Sequence, residues 1–156
     1  MNGIIKECET RVRRTYRGGA LLDVFLGRQR GTDGFFPEDW ISSFVEAKNR
    51  DYIPGEGITR LEDGRLITDA VGGGMFGQGR TEPGVLIKLL DSGERLGIQV
   101  HPTDAYAKKL FGSDYGKTES WHVLSTRRIN DEEPRVYLGF KPGLTRELWT
   151  EYYRTQ

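Results

Sequence analysis

A strand–turn–strand pattern in the second half of the chain constrains its fold more than any other feature. The apolar run 85–90 is interrupted only by Lys88, and the turn residues 91–94 separate it from segment 95–101, in which apolar and polar residues alternate. Two such runs joined by an Asp-Ser-Gly turn are typical of a β-hairpin. The pattern therefore predicts two antiparallel strands, and the apolar run is far too short to cross a membrane.

Further strands are predicted on both sides of this hairpin. Residues 119–125 and 135–140 have strand-like composition and are joined by the polar loop 127–134. Segment 37–47 leaves two alternatives open, because its i, i+4 apolar pairs favour a helix while its β-branched and aromatic residues favour a strand. The glycine-rich tract 72–79 lacks the Gly-Lys-Ser/Thr ending of a phosphate-binding P-loop, so we interpret it as a loop or a mobile lid.

Short helices are predicted at three places. One covers residues 20–26, and a second begins at Thr103 or Asp104, either of which can cap it, and ends near residue 111. Thr145 caps a last helix. Together with the strands, these helices predict a mostly β fold, an antiparallel sandwich or barrel with short helices, in a single domain over residues 1–156.

Composition and charge narrow the class of protein. The 156 residues carry 23 Lys+Arg against 23 Asp+Glu, so a general nucleic-acid or membrane-surface role lacks its usual electrostatic attraction. The only cysteine, Cys8, excludes an internal disulfide, and residues 1–7 contain no apolar run of the kind found in signal peptides. We therefore expect a cytoplasmic protein with neither a nucleic-acid nor a membrane partner.

Gln99, His101 and Glu119 are the strongest candidates for metal ligands. Side chains alternate along a strand, so Gln99 and His101 point to the same side of the predicted strand 95–101. If a strand beginning at Glu119 lies beside it, an amide oxygen, an imidazole nitrogen and a carboxylate surround one point, as suits a divalent ion such as zinc. The alternative is a polar strand face with Glu119 in a salt bridge. We interpret His122, three residues further on, as a packing or surface residue.

Two lysines are candidates for substrate binding. Lys88 interrupts an otherwise apolar strand, and Lys117 belongs to the sequence Gly-Lys-Thr-Glu that ends at Glu119. A lysine beside a metal can hold a substrate oxygen or a phosphate group as a point charge. The alternative for each is a solvated lysine on an exposed strand face.

The motifs around these candidates resemble those of the type I phosphomannose isomerases, zinc enzymes of the cupin superfamily. The most specific features are Gln-Val-His-Pro at 99–102 and Gly-Lys-Thr-Glu at 116–119. The resemblance also includes segments 16–22, 37–43, 83–91, 96–104, 116–121 and 137–140. Segment 37–43 is similar to a strand of the family, which favours the strand over the helix. Arg17 replaces a family tryptophan, and Gly97 replaces a frequent serine.

The resemblance implies a cupin-like antiparallel barrel and an aldose–ketose isomerase that interconverts mannose 6-phosphate and fructose 6-phosphate with zinc as cofactor. The family ligands that match are Gln99, His101 and Glu119, and Lys117 would be the catalytic residue that helps to place the sugar phosphate. Lys88 is the second substrate-binding candidate.

Parts of the family pattern have no counterpart in this sequence: a second histidine ligand, a catalytic arginine and the C-terminal strands. The chain therefore resembles the N-terminal part of such an enzyme. An incomplete barrel exposes sheet edges, so we expect association into homo-oligomers, weak metal binding, and low or absent isomerase activity for this chain alone. The alternatives are a non-catalytic cupin-like module that binds a metal or a sugar, and a structural interaction domain that uses its edge strands.

Overall fold

A three-stranded antiparallel sheet organises the first part of the chain in the computed structural model, which describes residues 4–72, 75–77 and 79–155. The strands are β1 (Arg11–Val12), β2 (Glu38–Ile41) and β3 (Ile87–Leu90), in the order β1-β2-β3. Glu38 of β2 pairs with Val12 on one side and with Leu90 on the other. The sheet confirms antiparallel strands, and β2 confirms a strand rather than a helix for Glu38–Ile41, whereas residues 43–47 of the same segment form neither.

Short helices accompany the sheet within the described residues: α1 (Ala20–Phe25), α2 (Ile67–Ala70), α3 (Asp104–Phe111) and α4 (Arg146–Thr155). The predicted caps are confirmed, because Thr103 Oγ1 accepts a hydrogen bond from the Tyr106 amide at 3.5 Å and Thr145 Oγ1 accepts one from the Leu148 amide at 3.2 Å. None of the helices in the described part of the chain is long and apolar enough to cross a membrane.

Acidic side chains from distant parts of the chain fix the start of α1. Asp91, directly after β3, accepts hydrogen bonds from the amides of Gly19 at 3.1 Å and Leu21 at 2.7 Å. Asp33 accepts one from the amide of Ala20 at 3.3 Å. The first amides of a helix have no partner within it, so these carboxylates do the work of an N-cap. The end of β3 is thereby tied to α1.

The chain forms two compact units, Met1–Thr118 and Glu119–Gln156. Small apolar clusters form the core of the first unit. One consists of Val12, Trp40 and Ala47, with Leu86 packed against it. The other consists of Leu61, Ile67, Ala70 and Val71, with Phe44, Ile58 and Phe76 packed against it. The glycine-rich tract that we predicted to be a loop or lid falls partly outside the described residues, and its residues 75 and 76 form a turn.

In the second unit, α4 is the helix that the described residues form, and none of its residues is buried. The ring centroids of Phe140 and Trp149 lie 5.2 Å apart. Asn130 and Asp131 both have positive φ, at 51° and 62°, and the flanking Ile129 and Glu132 exchange backbone hydrogen bonds of 3.3 and 2.9 Å. This is the geometry of a two-residue hairpin turn, and it lies within the polar loop predicted between two strands.

Three segments predicted to be strands carry neither strand nor helix: residues 95–101, 119–125 and 135–140. These predictions were wrong for the described structure. The alternating pattern is that of a strand, but a strand also needs a neighbour to satisfy its backbone N–H and C=O groups. β3 pairs with β2 along one edge, and the described residues place no strand along its other edge.

Candidate functional site

Gln99 and His101 lie in an exposed segment between β3 and α3. The segment forms no strand, so the alternation that would place both side chains on one face does not determine their directions. The segment ends at Pro102, directly before the residue that caps α3. His101 therefore lies two residues before the N-cap of α3 and outside the sheet.

A hydrogen bond joins Gln99 to Lys117. Lys117 Nζ donates to Gln99 Oε1 at 3.5 Å, across a sequence separation of 18 residues. The backbone makes this approach possible, because the Lys117 amide donates to the Pro102 carbonyl at 3.0 Å and the Gly116 amide donates to Asp104 Oδ1 at 2.7 Å. A Cβ on Gly116 would lie 2.5 Å from the Pro102 carbonyl oxygen. The close return requires glycine, and it brings two of the predicted site residues together.

The contact with Lys117 affects what Gln99 can bind. Its Oε1 atom is the predicted metal ligand, and an amide oxygen has two lone pairs. Because the ammonium group uses one of them, a metal ion on the other would lie close to a second positive charge. A divalent ion at this point therefore needs a carboxylate among its ligands to offset the repulsion.

Glu119, the predicted carboxylate ligand, is the first residue of the second unit, and His122 lies three residues further along the chain. Glu119 is half-buried and His122 is exposed, and both belong to a stretch without helix or strand. The described residues contain no group of three or more His, Cys, Asp or Glu side chains arranged to hold a metal. The predicted set has two residues of those types and one amide. The donor atoms of this set suit zinc. That the three side chains meet around one ion stays a prediction.

Lys88, the other substrate-binding candidate, belongs to a buried charge network. Lys88 Nζ lies 3.6 Å from Oε1 of Glu38, and Arg14 Nε lies 3.3 Å from the same oxygen. Tyr16 donates its hydroxyl hydrogen to that oxygen at 2.5 Å, and the Trp40 indole N–H donates to Oε2 at 2.7 Å. We call these five residues the Glu38 cluster. The Glu38 side chain is only 2% exposed, so the cluster is built around a buried carboxylate.

Glu38 is held in its ionised form. Burial alone raises the pKa of a carboxyl group, but the hydrogen bonds from Tyr16 and Trp40 and the charges of Lys88 and Arg14 outweigh it, and the pKa of Glu38 is lowered. Burial first, and then the hydrogen bond to Glu38, raises the pKa of Tyr16, which stays neutral. The Arg14 and Lys88 side chains are 30% and 20% exposed. Both cations thus lie between the buried acid and solvent.

The Glu38 cluster was missed in the sequence because it depends on how β2 pairs with β3. Lys88 pairs with Trp40, and Glu38 is the next residue on the same face of β2. Diagonal neighbours on a sheet face are within reach of long side chains. The sequence shows a lysine within one apolar strand and a glutamate within another. Only the register of β2 against β3 shows that the two side chains lie close together.

The matches to known proteins include three that are named mannose-6-phosphate isomerase. A probable mannose-6-phosphate isomerase of Bacillus subtilis, GmuF, is 44% identical over 52 residues, which are 33% of this chain and 16% of that protein. The Streptococcus mutans protein is 39% identical over 64 residues, which are 41% of this chain and 19% of that protein. ManA of Bacillus subtilis is 39% identical over 66 residues, which are 42% of this chain and 20% of that protein.

These matches confirm the resemblance that the motifs indicate, over part of the chain. The matched segments span only 16–20% of the length of the relatives. The chain matches no known protein-family model and no solved structure.

Proposed function

We propose that this chain acts in the interconversion of mannose 6-phosphate and fructose 6-phosphate, as a zinc-dependent mannose-6-phosphate isomerase-like protein with a cupin-like fold. The observation that carries the proposal is the partial similarity to three proteins of that name, at 39–44% identity. The Lys117–Gln99 hydrogen bond supports it, because it joins the two motifs on which the resemblance rests. The antiparallel sheet and the tight turn at Asn130 are compatible with an antiparallel barrel.

In this proposal Gln99, His101 and Glu119 hold the zinc ion. An imidazole, a carboxylate and an amide oxygen leave a coordination position open, as in catalytic zinc sites. When bound, the ion would polarise oxygen atoms of the sugar and so ease transfer of a neighbouring C–H proton to a general base.

The lysines position the sugar phosphate. Lys117 is hydrogen-bonded to Gln99. We assign it to donate a hydrogen bond to an oxygen on C1 or C2 of the sugar, the two carbon atoms between which the proton moves. A fixed ammonium group there stabilises the negative charge that develops on this oxygen as the proton leaves. Lys88 carries a second ammonium group, which we assign to the phosphate of the substrate.

The proposal includes a setting for the chain. We place it in the cytoplasm, where its one exposed cysteine, Cys8, would stay reduced. We also propose that copies of the chain associate through the exposed edge of β3.

A zinc titration tests the ligand assignment. The purified chain should bind one zinc ion, measured by calorimetric titration at equilibrium, and His101→Ala should weaken this binding by more than about tenfold. His122→Ala is the matched control, because it removes the other histidine, and it should bind zinc like the wild type. A wild-type chain that takes up no zinc, or equal uptake by the His101→Ala chain, would contradict the proposal. A coupled assay with mannose 6-phosphate on the loaded protein then measures turnover, which we expect to be low.

A further inference from the structure

Asp104 anchors the loop that carries Lys117. Its Oδ1 atom accepts a hydrogen bond of 2.7 Å from the amide of Gly116, the residue directly before Lys117. Asp104 is also the first residue of α3 and directly follows the capping residue Thr103. We propose that Asp104 is a positioning residue, which holds Lys117 against Gln99 by fixing the backbone at Gly116. This inference rests on the proposed function for the role of Lys117 in the reaction, and on the contacts of the loop for its position.

The loop between α3 and Lys117 is tied to the helix at its beginning and at its end. At its beginning, the C-cap residue Gly112 has a left-handed φ of 67°, and the Ser113 amide donates to the Ala107 carbonyl at 3.3 Å. At its end, the Lys117 amide donates to the carbonyl of Pro102, just before the N-cap, at 3.0 Å. A short loop held at both ends has few other conformations, so the backbone of its last residue has a defined place.

A carboxylate at position 104 suits this task. The amide of Gly116 is an obligatory donor, and an ionised oxygen accepts a stronger hydrogen bond than a neutral one. The two backbones meet closely here, because a Cβ on Gly116 would lie 2.8 Å from the Thr103 carbonyl carbon and 2.9 Å from the Asp104 nitrogen. From this fixed base the side chain of Lys117 reaches Oε1 of Gln99 at 3.5 Å. Asp104 thus prepares the ammonium group as a preorganised donor without being a catalytic residue itself.

Two-dimensional proton–nitrogen NMR of the metal-free chain tests the position of Lys117 without zinc or a sugar. The signals of the Gln99 side-chain amide, assigned by their loss in Gln99→Glu, report on the contact with Lys117. Lys117→Met removes the donor and should shift these signals. Asp104→Ala should shift them in the same direction, because it releases the amide of Gly116. Asp104→Asn keeps an oxygen acceptor and should leave them close to the wild-type positions.

Asp114→Ala is the matched control for Asp104→Ala. Asp114 is an acid of the same loop, but its carboxylate pairs with the side chain of Lys108. Its removal costs the loop one negative charge, as Asp104→Ala does, and leaves the hydrogen bond at Gly116 in place. The Gln99 signals should therefore not move in Asp114→Ala.

A double-mutant cycle connects this position to sugar binding. We expect Lys117→Met and Asp104→Ala each to weaken binding of mannose 6-phosphate to the zinc-loaded chain about tenfold, measured by calorimetry. If Asp104 acts through Lys117, Asp104→Ala should have no further effect in the Lys117→Met background. A merely structural role of Asp104 would weaken binding equally in both backgrounds.

Gly116→Ala keeps the test decisive if Asp104→Ala does not fold. Its Cβ would lie 2.5 Å from the Pro102 carbonyl oxygen, so it should displace the same turn and shift the Gln99 signals. Gln99 signals that do not respond to Lys117→Met, or that stay in place in folded Asp104→Ala, overturn the proposal, as do additive effects in the cycle. A chain that binds neither zinc nor sugar rejects the proposed isomerase, while Gln99 signals that depend on Asp104 still support the anchoring.

Discussion

The carboxylate of Glu38 links the stability of the sheet to pH. Its pKa is lowered in the folded chain from the usual 4.5. A carboxyl group with a lowered folded pKa stabilises the fold at pH values above its unfolded pKa, and this contribution is lost as the pH falls through the folded pKa. The stabilisation should therefore start to fall as the pH drops below about 4.5, where the unfolded chain takes up the proton, and be lost as the pH falls through the lowered pKa of folded Glu38.

Glu38→Gln should lower the free energy of unfolding at pH 7 by about 1–3 kcal/mol, the cost of leaving buried hydrogen-bonding groups without partners. An amide cannot accept from both Tyr16 and Trp40, because one of its two polar atoms is a donor. Urea unfolding at pH 7 and at about pH 4 measures the effect. The difference from the wild type should shrink at the lower pH, and equal stability of the two proteins at pH 7 would refute the role given to Glu38.

The neighbouring carboxylate of Asp39 provides the control for this experiment. Burial raises the pKa of Asp39, despite a hydrogen bond of 2.8 Å from the Thr10 amide. Its ionised form is therefore disfavoured by folding, and its contribution to stability has the opposite dependence on pH. Asp39→Asn keeps an oxygen for the Thr10 amide, so we expect no loss of stability at pH 7.

At the scale of elements, the sequence predicts what depends on local residues. The caps at Thr103 and Thr145 and helix α1 fall where nearby residue types place them, and the Asn130 turn lies within the polar loop predicted at 127–134. The strand predicted over 95–101 fails although its predicted partner, 85–90, is adjacent in the chain: β3 pairs with the distant β2, and alternation alone does not make a neighbouring segment pair. The sequence likewise singles out Lys88 but not Glu38 or Arg14, because their contacts depend on the register of β2 against β3.

The connection between β3 and α1 depends on a glycine. A Cβ on Gly18 would lie 1.9 Å from the carbonyl oxygen of Asp91, so the two backbones would have to separate. Gly18→Ala should therefore reduce stability by about 2 kcal/mol or more, as overpacking against a fixed backbone does. Gly34 exchanges backbone hydrogen bonds of 2.8 and 2.9 Å with Gly18, yet a Cβ there would meet nothing within 4 Å.

Gly34→Ala is thus the matched control, and it should change the free energy of unfolding by less than about 0.5 kcal/mol. Urea unfolding of both variants measures the difference. If Gly18→Ala proves as stable as Gly34→Ala, the close approach of the two backbones is not present in solution.

At the scale of the whole molecule, apolar residues extend further along the chain than the sheet and the buried clusters do. The sheet and the buried clusters lie within residues 4–91. Apolar side chains continue beyond them, and Val100, Val123 and Leu138 are 82%, 64% and 98% exposed. The Asn130 turn has formed between two segments that are not paired as strands. These segments therefore have the sequence and the turn of a hairpin but lack a sheet on which to pair.

Hydrogen exchange measured by mass spectrometry checks this division of the molecule. The amides of Trp40, Thr59 and Asp91 donate to backbone carbonyls at 3.0, 2.9 and 3.0 Å, and they should be protected up to the free energy of global unfolding. Residues 119–125 and 135–140 should exchange rapidly in the dilute chain, because they belong to neither a helix nor a strand. Protection of these two segments that rises with protein concentration would show that copies of the chain pair them as strands. Protection equal to that of β2 at the lowest concentration would instead show that the hairpin forms within one chain, contrary to the arrangement described.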